Sequence, residues 1–328
     1  MPYWITPEVV TGSISRRDLL GLGAGAAAVL ALSGCAGGTG TGDAPAGPTR
    51  TVEGAFGPVE IPVDPRRVAA TDFYTTYALL DVGFTVVATA QATVGGVLPS
   101  LQAAYDAIPK IGTPQQPSYE AILAQRPDLI LGTLVPNLPA DLPGRLGAVA
   151  PTLLFPAGSS PGTWQERAVK AADAVGRRGE AEALRTRYEQ RAREVGDRHR
   201  DRLAGIRIGL VRGGPQGVAL VDLPQSWAGV VLTAIGARLP AFAEGRPGAS
   251  ARVSYEELAV LADCEILLHL ADTRGGVDPT TATMLDSPAF RALPAVRAGD
   301  LHPLPNYYVS HYGQGLAVLD ELDRILGG

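Results

Sequence analysis

The sequence predicts an α/β protein built as one α/β unit, a long helix and a second α/β unit. Three observations carry this. Short apolar strand segments alternate with helical segments through tight turns in two separate stretches. A charged stretch with helical periodicity separates them. The 328 residues also exceed what one hydrophobic core usually serves, so lobes of about 130 residues each are expected.

The first element is an address rather than a fold. Arg16 and Arg17, in Ser15-Arg16-Arg17-Asp18-Leu19-Leu20, precede an apolar Gly/Ala-rich run over 21–32 and then Leu32-Ser33-Gly34-Cys35. Paired arginines before a short apolar segment read as a twin-arginine export signal. The run falls short of the roughly 20 apolar residues a spanning helix needs. Leu-Ser-Gly-Cys resembles the bacterial lipobox, in which cleavage precedes a cysteine that then carries lipid. An ordinary apolar helix with an incidental cysteine is the simpler alternative, but three features in the right order favour export. Residues 1–34 are therefore expected to be a twin-arginine lipoprotein signal peptide, with Cys35 lipidated. The Gly/Thr/Ala/Pro-rich stretch after it, within 35–50, reads as a flexible tether.

The N-terminal lobe is expected over 51–161. Val59-Glu60-Ile61-Pro62-Val63 alternates like an edge strand, and Arg67-Val68-Ala69-Ala70 is a buried-strand run. A helix over 74–82 is stopped by Gly83. Strands follow at 86–90, 129–131 and 152–155, with helices beginning at Ser118 and spanning 142–149. Residues 162–204 form the helical segment: Trp164, Ala168, Ala171, Ala172 and Val175 recur at helical spacing, and a second helix is expected from about 179 to 203, roughly 38 Å long. His199, on its charged face, is expected in solvent. The C-terminal lobe, 205–328, restarts with strands at 206–211 and 218–221, a helix over 227–234, another from Ser254, strands at 265–269 and 300–304, and a closing helix over 315–326.

Composition excludes several classes. A net charge of −5 argues against a nucleic-acid binder, and two cysteines, Cys35 and Cys264, cannot build a disulfide scaffold. Cys264, entering an apolar strand, reads as a buried structural thiol. There is no phosphate-binding loop, no Gly-x-Ser-x-Gly elbow and no His-Glu-x-x-His, and the four histidines share no metal-ligand spacing. No catalytic residue, resident metal or cofactor is expected.

What stands out is aromatic and arginine side chains after strands, where doubly wound lobes meet their ligands. These are Tyr74, Arg212, Trp227 and Arg274, with Tyr307, Tyr308, His311 and Tyr312 in one cluster, against only 19 aromatics in the chain. Tyr and Trp give rigid amphipathic contact and Arg a planar fork for oxygens, which suits a bulky, oxygen-rich, anionic ligand. Packing of each aromatic on its own lobe is the plainer alternative.

Three blocks carry a resemblance. Residues 51–68 (Thr-Val-Glu-Gly-Ala-Phe-Gly-Pro-Val-Glu-Ile-Pro-Val-Asp-Pro-Arg-Arg-Val), 112–130 (Gly112-Thr113-Pro114 through Pro127-Asp128-Leu129-Ile130) and 290–301 (Phe290-Arg291-Ala292-Leu293-Pro294-Ala295-Val296 through Leu301) occur in order. They resemble iron–siderophore ABC transporter substrate-binding lipoproteins, over about 51–326. The resemblance implies two Rossmann-like lobes joined by a single long α-helix, a ligand cleft between them and modest closure. It implies capture of an Fe(III)-siderophore, with iron held by the chelator, and delivery to ABC permease subunits served by a cytoplasmic ATPase. Glu120 and Glu256, with Glu257 a near alternative, match the acidic residues that dock on the permease. Arg212 matches an arginine after the first strand of the second lobe. A monomer on the extracytoplasmic face of the cell membrane follows. The loop 93–97 lacks an aromatic pair, and Tyr307 and Tyr308 stand where Trp is frequent. The chelate class thus stays open between hydroxamate, catecholate and citrate types, with haem or a corrinoid as alternatives in the same class and an exported α/β enzyme in another.

Overall fold

The computed structural model describes residues 47–92, 96–134, 138–156 and 161–328. The export signal, Arg16, Arg17 and Cys35 lie outside the described residues. The first lobe opens with an antiparallel hairpin, β1 (Thr49–Gly54) and β2 (Gly57–Pro62). Next come β3 (Val68–Ala70), β4 (Ala88–Thr89), a small hairpin of β5 (Gly112–Thr113) and β6 (Gln116–Pro117), then β7 (Leu129–Thr133) and β8 (Thr152–Phe155). The main sheet runs β4-β3-β7-β8, entirely parallel. Alternate residues enter different cores: Val68, Ala70, Leu129 and Leu131 on one face, Ala69 and Ile130 on the other. Burial on both faces explains the continuous apolar runs.

The second lobe holds β9 (Ile208–Gly213), β10 (Val218–Asp222), β11 (Ser250–Ser254), β12 (Ile266–Leu270) and β13 (Leu301–Leu304), in the order β11-β10-β9-β12-β13. This sheet is mixed rather than entirely parallel. β9, β12 and β13 are parallel, but β10 runs antiparallel to both β9 and β11. The four residues between β9 and β10 allow only a hairpin, since a parallel return needs a crossover of a dozen residues or more. Gln216 and Gly217, at φ 63° and 69°, make that turn. Cys264 is buried against Leu261 and Leu267, and burial pushes its thiol up.

Two helices tie the lobes. Trp164–Ala174 places Trp164 and Ala168 in the second lobe's core, and Ala171 and Ala174 in the first lobe's. Arg178–Arg198, roughly 31 Å long, packs Ala181 against Val82 at its start and Tyr188, Ala192 and Val195 into the second lobe's core. The expected single helix to 203 is instead broken at His199, with Arg200–Gly205 continuing separately. His199 is not solvated. Its Nε2 lies 2.7 Å from Asp323 Oδ1, on a carboxylate that Arg191 and Arg198 also engage.

The closing helix starts earlier than predicted, at Tyr312–Leu326. Helices Pro99–Asp106 and Pro279–Asp286 begin on prolines, which suit a first helical turn. Among the described residues no helix is long and apolar enough to cross a membrane.

Candidate functional site

The first lobe's wall is set by Asp72, fully buried where β3 ends. The Thr75 N–H donates to its Oδ1 at 2.8 Å, and the Thr133 N–H, at the end of β7, donates to its Oδ2 at 2.6 Å. One carboxylate thus caps helix Phe73–Asp81 and fixes it to the neighbouring strand. Burial pushes the Asp72 carboxyl up, and these hydrogen bonds pull against it. Half-buried Tyr74 leaves the first turn of that helix, its ring 4.4 Å from Phe73. Burial first, then Tyr308 and Asp72, raise the Tyr74 hydroxyl.

Arg167 comes from the bridging helix, donating from Nη1 to Thr163 Oγ1 at 2.8 Å. Burial lowers its guanidinium, opposed by Asp72, Tyr74 and Glu166. Tyr74, Thr75, Thr133, Arg167 and, from the second lobe, Ser310 line one small cavity.

The second lobe's wall centres on Arg212. In the β9–β10 hairpin Arg212 lies opposite Leu220, and Asp222 ends β10. Arg212 Nε stands 3.4 Å from the Oδ1 of fully buried Asp222. The guanidinium carbon is 5.7 Å from the ring centres of both Trp227 and Tyr308, and those rings meet edge-on at 4.9 Å. Burial pushes the Asp222 carboxyl up to about 6, with Arg212, Tyr307 and Ser226 holding it back. Burial works against the Arg212 charge, but Asp222, Tyr308 and Tyr307 outweigh it and the net shift is upward. The Gly213 N–H donates to Thr281 Oγ1 at 3.0 Å, and a Cβ at Gly213 would collide with the Thr280 carbonyl.

Of the sequence-predicted residues, Tyr74, Arg212, Trp227 and Tyr308 therefore converge. Tyr307 lies beneath them, 1% exposed, with its ring 5.7 Å from Tyr308. His311 and Tyr312 do not join the wall. His311 is fully buried, its Nδ1 3.0 Å from Asp81 Oδ2. Tyr312 packs with Trp164 and Tyr188 at 5.3 and 5.9 Å. Both positions follow from the helix starting at 312 rather than 315, which turns them inward. Arg274 is exposed on the loop held by Asp272, whose Oδ1 accepts the Arg274 and Gly276 N–H groups. Its neighbour Thr273 sits opposite Gly96 of the first lobe, so Arg274 belongs to the rim.

Glu120 is exposed in the first turn of Tyr119–Ala124, and Glu256 in that of the 3-10 helix Tyr255–Leu261. Glu257 is occupied, its Oε2 accepting the Ser254 N–H at 2.9 Å. Sequence reasoning passed over Arg167 and Asp222. The charge ending the apolar strand 218–221 was a usable signal for Asp222. Arg167 on a mixed helix face carried none. Among the described residues no group of three or more His, Cys, Asp or Glu could hold a metal ion.

A family model described as "Periplasmic binding protein" matches residues 68–308. The probable siderophore-binding lipoprotein YfiY of Bacillus subtilis (strain 168) is 24% identical over 264 residues, covering 77% of this chain and 79% of that protein. The solved siderophore periplasmic binding protein from the fuscachelin gene cluster of Thermobifida fusca is 28% identical, with a TM-score of 0.70 over 82% of this chain and 98% of that one. Staphylococcus aureus SirA, solved with staphyloferrin B, shares the fold at 18% identity and a TM-score of 0.70, covering 85% of this chain and 99% of that one.

Proposed function

The chain belongs to the periplasmic binding protein family, and from that membership we propose that it is the substrate-binding component of an ABC importer, capturing a ferric-siderophore complex. The observation that carries the reading is the pairing of two walls: Tyr74 and Arg167 on one side, and Arg212 with the Trp227–Tyr308 pair on the other. Aromatic edges and faces suit the chelator body, and arginine forks suit its oxygens. The similarity to YfiY and to the fuscachelin-cluster protein supports this ligand.

In this reading residues 1–34 direct twin-arginine export, Cys35 carries the lipid and residues 35–50 tether a body of two lobes, 51–161 and 205–328, joined through 162–204. The protein works as a monomer on the extracytoplasmic face. Glu120 and Glu256, exposed in the first turns of their helices, dock on the permease subunits. Iron arrives and leaves inside its chelator, and no turnover is involved. A haem or corrinoid ligand would draw on His311 or the Tyr307–Tyr308 pair for axial ligation. The burial of His311 against Asp81 and of Tyr307 beneath Arg212 weighs against it.

The test is tryptophan fluorescence titration of the mature protein with ferric hydroxamate, catecholate and citrate complexes, each beside its iron-free chelator, plus haem and cobalamin. Saturable quenching by a ferric chelate and not its iron-free form is the expected outcome. Quenching by haem or cobalamin alone would move the ligand. Silence across the panel would defeat the reading.

A further inference from the structure

Arginines in a cleft suggest an anionic ligand only if their charge is free to meet it. Here both are answered from behind. Arg212 lies 3.4 Å from the fully buried carboxylate of Asp222. Arg167 feels Asp72, whose two oxygens each accept a backbone N–H. Backbone N–H groups cannot reverse their role, so that geometry fits the ionised form of Asp72. At the rim the exposed Arg274 is answered by Asp272, whose Oδ1 accepts the Arg274 N–H and whose carboxyl the backbone N–H groups of Gly276 and Arg274, with the Arg274 charge, hold low, while Asp278, capping helix Pro279–Asp286, lies within electrostatic reach of Tyr308. Tyr74 and Tyr308 are neutral, their hydroxyls raised chiefly by burial. The segments 93–95, 135–137 and 157–160 contain no ionisable residue in their sequence, so they add no charge in any conformation.

We infer that the cleft selects a ferric chelate of little or no net charge, of the neutral trihydroxamate type, over a trianionic tris-catecholate complex. This rests on the ferric-chelate reading above and names its substrate class. The arginines then serve as hydrogen-bond forks with their charge already compensated. Hydroxamate oxygens accept from those forks while the chelator body packs on Tyr74, Trp227 and Tyr308. A trianion would have to shed water beside Asp222 and Asp72 without meeting uncompensated positive charge, a desolvation cost left unrepaid. Asp222 is thereby a positioning and specificity residue: it orients Arg212 and cancels its charge.

The experiment compares ferrichrome, a neutral ferric trihydroxamate, with ferric enterobactin, a trianionic tris-catecholate, by fluorescence quenching of the mature native protein. The neutral chelate is expected to bind at least about tenfold more tightly. Asp222→Asn, checked for folding by circular dichroism, should narrow that ratio by about fivefold or more, because Arg212 then faces the ligand with its charge exposed. Tighter binding of the trianion by the native protein would overturn the charge inference while leaving the receptor reading standing. A ratio unmoved in folded Asp222→Asn would overturn the role of Asp222. Failure of every ferric chelate to bind would remove the receptor reading and this inference together.

Discussion

Asp81 and His311 meet across the two lobes: the Asp81 carboxylate, at the end of the first lobe's opening helix, lies 3.0 Å from Nδ1 of the fully buried His311. The same Oδ2 accepts the Gly313 N–H at 2.9 Å, so one carboxylate anchors the start of the closing helix. Beside it, Gln314 donates to the Gly96 carbonyl at 2.9 Å, a second link between lobes. Removing Asp81 would strand the half-buried Gly313 N–H and take away the carboxylate beside the buried imidazole. Asp81→Ala should cost about 2–3 kcal/mol in urea unfolding, and Asp81→Asn, which keeps an acceptor, clearly less. Equal costs for the two would show that the carbonyl-type acceptor does not matter here.

Tyr312 belongs to the core formed with Trp164 and Tyr188, not to the ligand wall. Tyr312→Ala should destabilise by about 3–5 kcal/mol, while Tyr312→Phe leaves chelate affinity within about twofold. A large loss of affinity in the phenylalanine variant would return Tyr312 to the binding surface.

Arg212 and Trp227 face the ligand in the proposed function. Arg212→Ala and Trp227→Ala should each weaken the chelate that binds by about tenfold or more, with unchanged circular dichroism. Gly213→Ala tests the same wall through the backbone. Its Cβ would strike the Thr280 carbonyl, displacing the strand end that carries Arg212, at a cost of about 2–3 kcal/mol and with weakened binding.

Two carboxylates give opposite pH dependences. Asp323 is held at about 2, because hydrogen bonds from His199, Arg191 and Arg198 outweigh its burial. Its contribution is present above its ordinary value of 3.8 and lost as pH falls through about 2; Asp323→Asn should remove about 1–2 kcal/mol at neutral pH and flatten that acid limb. Asp222, raised from 3.8 to about 6 chiefly by burial, favours the folded state in its protonated form. That contribution is fully present below 3.8 and lost as pH rises through about 6, so Asp222→Asn should flatten the curve there. Unfolding titrations across both windows separate the two.

Glu120 and Glu256 are proposed to meet the permease. Their alanine variants should bind chelate normally but fail to stimulate the transporter's ATPase in proteoliposomes. Glu257→Ala, which removes the acceptor for the Ser254 N–H, should instead lower stability and leave stimulation intact. Loss of stimulation in Glu257→Ala alone would exchange the two roles.

Local pattern determined much of this protein. Continuous apolar runs such as Val68-Ala69-Ala70 and Leu129-Ile130-Leu131, set between turn residues, suit strands buried on both faces, and Ser118 and Gly83 marked helix ends through chemistry confined to a few residues. The same holds for the aromatic and arginine residues that follow strands, of which Tyr74, Arg212, Trp227 and Tyr308 converge. Tertiary structure alone decided the rest. The break at His199 and the inward turn of His311 and Tyr312 depend on partners far away in the chain, Asp323, Asp81 and Trp164 among them. Charge compensation in the cleft is of the same kind. Arg212 reads as a free cation until the β9–β10 hairpin brings Asp222 behind it, and nothing marks Arg167 until the packed lobes bring Asp72 within reach. Sequence spacing fixes what each segment can bury, whereas the sign and strength of a buried charge depend on which distant groups share its low-dielectric surroundings.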